Sequence, residues 1–248
     1  MSTNHFAPTP MVGYPVRLDG RLDAELSRWM WLLKWFLAIP HLVVLALLWA
    51  AFPVVMVIVG VAVLATGRYP PPLFEFTVGV LRWSWRVSFY AFALGTDRYP
   101  PFSLRPDPTY PADLAVDYPQ RLSRLLVLMK WWLLALPHYL IIGLVTGSIG
   151  WWAWPQYGPD QARQVPGISL VGLLVLVTAV ILLVTGRYPR PLFDLIVGVH
   201  RWMFRVWAYA ALLRDEYPPF RLDLGGADPG WTVTDIRQAP GTPTPAAR

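Results

Sequence analysis

The sequence has no cysteine. That excludes a disulfide scaffold, a thiol nucleophile, a cysteine-ligated zinc site and an iron–sulfur cluster. Charge is scarce as well, at 15% of residues, against about a quarter in soluble domains. A Gly-rich phosphate loop, a His-Glu-X-X-His signature, a Gly-X-Ser-X-Gly turn and a paired-carboxylate pattern are all missing, so no enzyme is expected. Covalent haem attachment through Cys-X-X-Cys-His is excluded with the cysteines. Apolar bulk is what the chain has instead, with 55% hydrophobic residues, 14 tryptophans and 26 prolines in 248 residues. The body of the chain is therefore neither disordered nor collagen-like, and its composition is that of an integral membrane protein.

Four stretches are apolar enough to be considered as spans, at about 35–51, 52–66, 131–149 and 168–185. A crossing needs about 20 residues, with about 17 as the practical minimum. The last two qualify directly. The first two fit only if the helix begins upstream near Ser27, with Lys34 reaching back to the headgroups and Pro53 marking a hairpin turn. A shallow or re-entrant hairpin is the alternative. Residues 1–28 are polar and lack a small-residue cleavage site, so the chain is expected to be anchored by its own spans. Residues 1–12 and 223–248 read as disordered termini.

The two halves of the chain resemble each other. Tyr14-Pro-Val-Arg-Leu, Lys34-Trp35, Pro40-His41, Thr66-Gly-Arg-Tyr-Pro70, Pro72-Leu-Phe74, Val78-Gly79, Arg82-Trp83, Arg86, Tyr90 and Tyr99-Pro-Pro-Phe102 occur in the first half. Tyr118-Pro-Gln-Arg-Leu, Lys130-Trp131, Pro137-His138, Thr185-Gly-Arg-Tyr-Pro189, Pro191-Leu-Phe193, Val197-Gly198, Arg201-Trp202, Arg205, Tyr209 and Tyr217-Pro-Pro-Phe220 answer them in the second. The spacing between matched residues is 96 at the lysines, 97 at Pro-His and 119 from Thr-Gly-Arg to Tyr90 and Tyr209, so the second half holds 22 extra residues between its apolar stretches. These fall in the Trp- and Pro-rich region 151–167. The domain organisation read from this is membrane repeat 1 at 13–104, a linker at 105–117 and membrane repeat 2 at 118–222.

Within each repeat Glu75, Gly79, Arg82, Arg86 and Tyr90, and likewise Asp194, Gly198, Arg201, Arg205 and Tyr209, recur at steps of three and four. That spacing places each set on one helical face. Each repeat therefore reads as a two-span helical hairpin followed by an amphipathic interfacial helix with an acid-tipped basic stripe. The fold class is all-α integral membrane, with four spans, or six if the amphipathic helices cross, and minor β structure in the linkers. Seven tyrosines precede proline, at positions 14, 69, 99, 110, 118, 188 and 217, which forces extended backbone at headgroup level. With four spans, sixteen of the 21 cations fall on one side, and the positive-inside rule places both termini in the cytoplasm.

The doubled Lys-Trp…Pro-His, Thr-Gly-Arg-Tyr-Pro…Leu-Phe and Arg-Trp…Arg…Tyr…Tyr-Pro-Pro-Phe signatures resemble a family of actinobacterial multi-pass membrane proteins known as domain of unknown function 4389, in two tandem copies. The resemblance covers about residues 14–222. It implies a bacterial plasma-membrane protein with no assigned activity, and carries over no catalytic residue.

Two sets of residues remain as candidates. His41 and His138 are ionisable groups inside apolar stretches, which makes them candidates for haem ligation, a metal ion or proton handling; a neutral histidine that only packs is the plainer reading. The stripe of Glu75, Arg82, Arg86, Asp194, Arg201 and Arg205 is either a solvated surface or a binding face for anionic lipid phosphates, which guanidinium groups pair bidentately. No cofactor is expected, and nucleic acid is not a partner, because the cations line membrane edges rather than form one patch. The function read from this is a non-enzymatic module that organises partner proteins or anionic lipids at the cytoplasmic face. The alternatives are a small transporter or channel, and a haem-binding redox protein using His41 and His138.

Overall fold

A computed structural model describes residues 13–147 and 169–228. The order of elements is β1 (Val16–Gly20), α1 (Met30–Thr66), α2 (Pro71–Ala91), β2 (Ala112–Val116) and α3 (Arg124–Met129). A π-helical turn at Lys130–Leu134 leads from α3 into α4 (Leu136–Thr146), followed by α5 (Leu170–Thr185) and α6 (Arg190–Ala210). The fold is mostly helical, with one two-stranded sheet among the described residues.

The expected hairpin around Pro53 is a single helix. α1 runs 37 residues with Pro40 and Pro53 inside it, and ends at Gly67 in the left-handed conformation (φ 69°). No Gly, Asn, Asp or Ser lies beside Pro53 to build a turn. Each internal proline forfeits one backbone hydrogen bond, whereas a turn would end one helix and start another, freeing up to about four carbonyls and four N–H groups from the ladder. Lys34, Ala38, His41, Leu45, Val59 and Val63 are buried along one face, and Phe36, Val43, Leu47, Val54, Val57 and Val61 are exposed on the others.

The second copy of this helix is broken. α4 ends at Gly147, again left-handed (φ 72°), and α5 starts under Ser169, whose hydroxyl accepts from the Gly172 N–H at 2.9 Å. The region 151–167 lies outside the described residues. The π-helical turn explains the change of spacing from 96 to 97: the second copy has one more residue between its lysine and its histidine, and a π turn absorbs one residue inside a helix. Lys130 and His138 are thereby brought to the same buried face, as Lys34 and His41 are.

The sheet revises the repeat boundaries. β1 and β2 pair antiparallel with Leu18 opposite Leu114 at the centre. Tyr14-Pro15 corresponds to Tyr110-Pro111, not to Tyr118-Pro119: the spacing is 96, as at the lysines, and the two tyrosines do the same thing. The Tyr14 hydroxyl donates to the Glu216 carbonyl and the Tyr110 hydroxyl to the Arg98 carbonyl. Residues 105–117, read as a linker, carry β2, which agrees with the minor β structure expected of the linkers. Residues 223–228, read as part of the disordered tail, are ordered beside β1, with the Gly20 N–H donating to the Gly226 carbonyl at 2.9 Å.

Candidate functional site

The arginines of α2 and α6 point inward. These helices start on prolines, Pro71 and Pro191 in their first turns, where the missing N–H costs nothing. Their stripes then face the β-ribbon. Arg82 is 8% exposed, and Arg86, Arg201 and Arg205 are 1% or less. A headgroup-facing stripe is therefore corrected to a buried one: the guanidinium groups are engaged by the protein itself.

The engagement crosses the repeats. Arg82 Nε donates to the Leu114 carbonyl at 2.8 Å, and its other arm to the Leu104 carbonyl at 2.9 Å. In the second repeat Arg201 Nε donates to the Leu18 carbonyl at 2.9 Å and its arms to the carbonyls of Asp223, Gly225 and Gly226. Each helix thus holds the strand that leads into the other repeat. Arg82 and Arg86 share Asp113 at 3.1 and 3.0 Å. Arg205 pairs with Asp223 at 2.6 Å and Asp228 at 2.9 Å. The acids are placed differently in the two halves. Asp113 on β2 stands where β1 has Arg17, and Asp223 stands where the first repeat has Arg105, so one half draws its counter-charge from the strand and the other from the returning segment. Burial pushes the Asp113 carboxyl above its ordinary range, and Arg82 and Arg86 pull against that. Burial likewise raises Asp19, whose carboxylate accepts from the Asp228 N–H.

The stripe acids behave otherwise. Glu75 is exposed and Asp194 half-buried, and neither forms an ion pair with the stripe arginines among the described residues. The acids that hold the arginines are Asp113, Asp223 and Asp228, on segments the helical periodicity does not reach.

The chain's two lysines occupy matched nests. Lys34 Nζ pairs with Asp97 at 2.7 Å, donates to the Thr96 carbonyl at 2.8 Å and lies 5.4 Å from the centre of the Tyr90 ring. Lys130 Nζ pairs with Asp215, donates to the Arg214 carbonyl at 2.9 Å and lies 5.3 Å from the Tyr209 ring centre. The same aspartates cap the helix entries, Asp97 accepting from the Ser27 N–H and Asp215 from the Ser123 N–H. Thr96-Asp97 and Arg214-Asp215 sit at one repeat spacing from each other, which was the sequence signal available for them.

The histidines lie in two aromatic enclosures. His41 stacks on Phe102 with ring centres 3.9 Å apart, beside Tyr99, and its Nδ1 accepts from Trp83 Nε1 at 3.1 Å. His138 stacks on Phe220 at 4.0 Å, beside Tyr217 and Trp202. The enclosures share no ring, and each is built from its own repeat, so the structure does not bring the two histidines into one haem or metal site. A group of three or more metal-ligating side chains does not occur among the described residues.

Between the repeats lies a cleft of about 410 Å³ lined by Trp49, Phe52, Tyr139, Trp207, Ala210 and Ala211. Its lining has no charged group, and the Tyr139 hydroxyl is already donated to the Trp131 carbonyl.

Residues 28–103 and 168–221 match the model of the family described as Domain of unknown function (DUF4389). No curated protein and no solved structure matches the chain.

Proposed function

We propose, on the premise that the chain belongs to the Domain of unknown function (DUF4389) family and carries two copies of its domain, that it is a lipid-embedded, non-enzymatic module. It organises anionic lipids or partner proteins at the cytoplasmic face of a bacterial plasma membrane. Two of its helices, Met30–Thr66 and Arg124–Thr146, are long and apolar enough to cross a membrane, and only 11% and 28% of their most apolar windows are buried inside the protein. That observation carries the reading. A core helix of a water-soluble protein would hide this surface, since exposing it costs about 25 cal/mol per Å². The polar groups that could have served chemistry are spent internally: the stripe arginines hold strands, and the lysines and their aspartates close helix entries.

The transporter reading is less well supported, because the cleft between the repeats is lined by apolar and aromatic side chains with no ion ligand, where transporters place a polar site. Membranes washed at alkaline pH in carbonate are expected to retain the protein; its release into the supernatant would overturn lipid embedding. The absence of native cysteine makes topology accessible. In Arg105→Cys the thiol is expected to react with an impermeant maleimide only after cell lysis, and labelling of intact cells would overturn the cytoplasmic placement of this edge.

A further inference from the structure

We propose that the junction between the end of α1 and the start of α3 is a binding site for the phosphate of an anionic phospholipid, held by Arg68, Arg121 and Arg124. This rests on the lipid-embedded reading above. The junction forms a concave site of about 500 Å³ lined by Thr66, Gly67, Arg68, Arg121, Leu122 and Arg124. It contains three guanidinium groups and no acid.

The arginines are held at fixed spacing by backbone. Gly67 takes the left-handed conformation that closes α1, its N–H donating to the Val63 carbonyl at 2.7 Å. Its own carbonyl accepts from the Leu122 N–H at 2.9 Å, which ties the end of one repeat's apolar helix to the entry of the other's. Arg68 follows Gly67, and Arg121 and Arg124 flank the tied segment. Arg124 passes so close that a methyl group on Gly67 would lie 3.6 Å from its Nε. All three arginines are exposed, and none forms an ion pair with any described residue, whereas the buried arginines are each matched to an acid or to carbonyls. Three unpaired guanidinium groups around one hollow repel one another, and an oxyanion that accepts several N–H donors at once relieves this.

Position selects the source of the phosphate. The site lies at the C-terminal end of the 37-residue apolar helix, the point at which such a helix leaves hydrocarbon and where lipid phosphates are concentrated. The other repeat supplies an internal comparison. At its matching junction Thr185, Gly186, Arg187 and Arg28 recur, but Glu25 stands in the place of Arg121. One acid for one arginine lowers the local charge by two, so the two-fold arrangement is kept while phosphate binding belongs to one junction.

The test is native mass spectrometry of the detergent-solubilised full chain, titrated with phosphatidylglycerol and, separately, with phosphatidylcholine. The wild-type protein is expected to retain phosphatidylglycerol in preference, and the Arg68→Gln/Arg121→Gln/Arg124→Gln variant to lose on the order of tenfold or more of that affinity. Arg121→Glu, which copies the other junction, is expected to lose about as much, and Arg28→Gln/Arg187→Gln to bind as the wild type does. All of these side chains are exposed, and unchanged thermal melting checks that the variants fold. Equal retention by the triple variant overturns the site. Equal retention of both lipids, with inorganic phosphate at millimolar concentration protecting the protein against heat, overturns the lipid as the source. Release of the protein by carbonate, in contrast, would strike the embedding and leave these affinities standing.

Discussion

Leu18 and Leu114 face each other at the centre of the β-ribbon, and each gives its carbonyl to an arginine of the repeat that its own strand does not lead into. Arg201 Nε donates to Leu18 and Arg82 Nε to Leu114. Neither repeat can therefore close its polar interior alone, because the strand that satisfies its arginine is supplied by the other. The repeats form one interlocked unit rather than two beads on a string.

Removing either arginine is expected to be costly. Arg82→Met strands Asp113 with half its counter-charge, and Arg201→Met takes from the carbonyls of Leu18, Asp223 and Gly225 the donor that holds them. The loss of one partner from a buried ion pair costs about 3–5 kcal/mol, which is the range expected at Arg201, whose partner Asp228 is buried; the Asp113 side chain is 38% exposed, so Arg82→Met should cost less. Thermal melting in detergent should fall for both, and further for Arg201→Met, and a melting temperature within error of the wild type for either would show that the exchange of strands contributes little.

The two stripe glycines should differ. A methyl group on Gly79 would lie 2.7 Å from Leu104 Cβ and 3.0 Å from its carbonyl oxygen, while on Gly198 the nearest atom is the end of the Leu224 side chain at 3.1 Å. A backbone obstacle cannot swing aside as a leucine methyl can. Gly79→Ala is expected to destabilise by about 1–3 kcal/mol and Gly198→Ala by less, and the reverse order in a denaturant titration would contradict this packing.

The histidine enclosures make a similar contrast. His41→Phe keeps the stack on Phe102 but leaves the Trp83 N–H without an acceptor, at about 1–3 kcal/mol. His138→Phe forfeits no hydrogen bond among the described residues, since Trp202 Nε1 does not reach it, and should cost less. Haem supplied during expression is expected to give no Soret band in the wild type; a band abolished by either substitution would reinstate the redox reading.

His200 confers a pH dependence. Burial holds its imidazole below the ordinary histidine value, although Nδ1–H donation to the Ile196 carbonyl at 2.8 Å opposes this. The folded protein resists protonation that the unfolded chain accepts, so the stability contribution is whole above the unfolded value of about 6.5 and declines as pH falls below it. The matching residue of the first repeat is Leu81, itself buried. Melting temperature should therefore drop less between pH 7.5 and 5.5 in His200→Leu than in the wild type; an equal or larger drop would show that folding does not hold the His200 imidazole below its unfolded value.

Periodicity in the sequence was enough to find the stripes, and doubling enough to find the repeats. It could not say which way the stripes face. Three- and four-residue spacing puts Arg82 and Arg86 on one side of a helix, but an arginine stripe reads alike whether it meets headgroups or a strand ribbon. The deciding partners, Asp113 and Asp223, lie 27 and 18 residues from their arginines, in segments with no helical pattern. The spacing of 96 between Tyr14 and Tyr110, and between Leu26-Ser27-Arg28 and Leu122-Ser123-Arg124, was the legible trace of the strands; a shorter match to Tyr118-Pro119 obscured it.

The sequence by itself determined composition, the doubling, the apolar runs and the glycines at which those runs stop, because these depend on local chemistry: left-handed glycines end helices, and prolines in the first turn open them. Only the tertiary structure decided that the first apolar run is one helix where its copy is broken, that the arginines are buried, and that each repeat completes the other. Those outcomes depend on where distant acids and carbonyls come to lie, and a buried guanidinium is stable only where such partners converge on it.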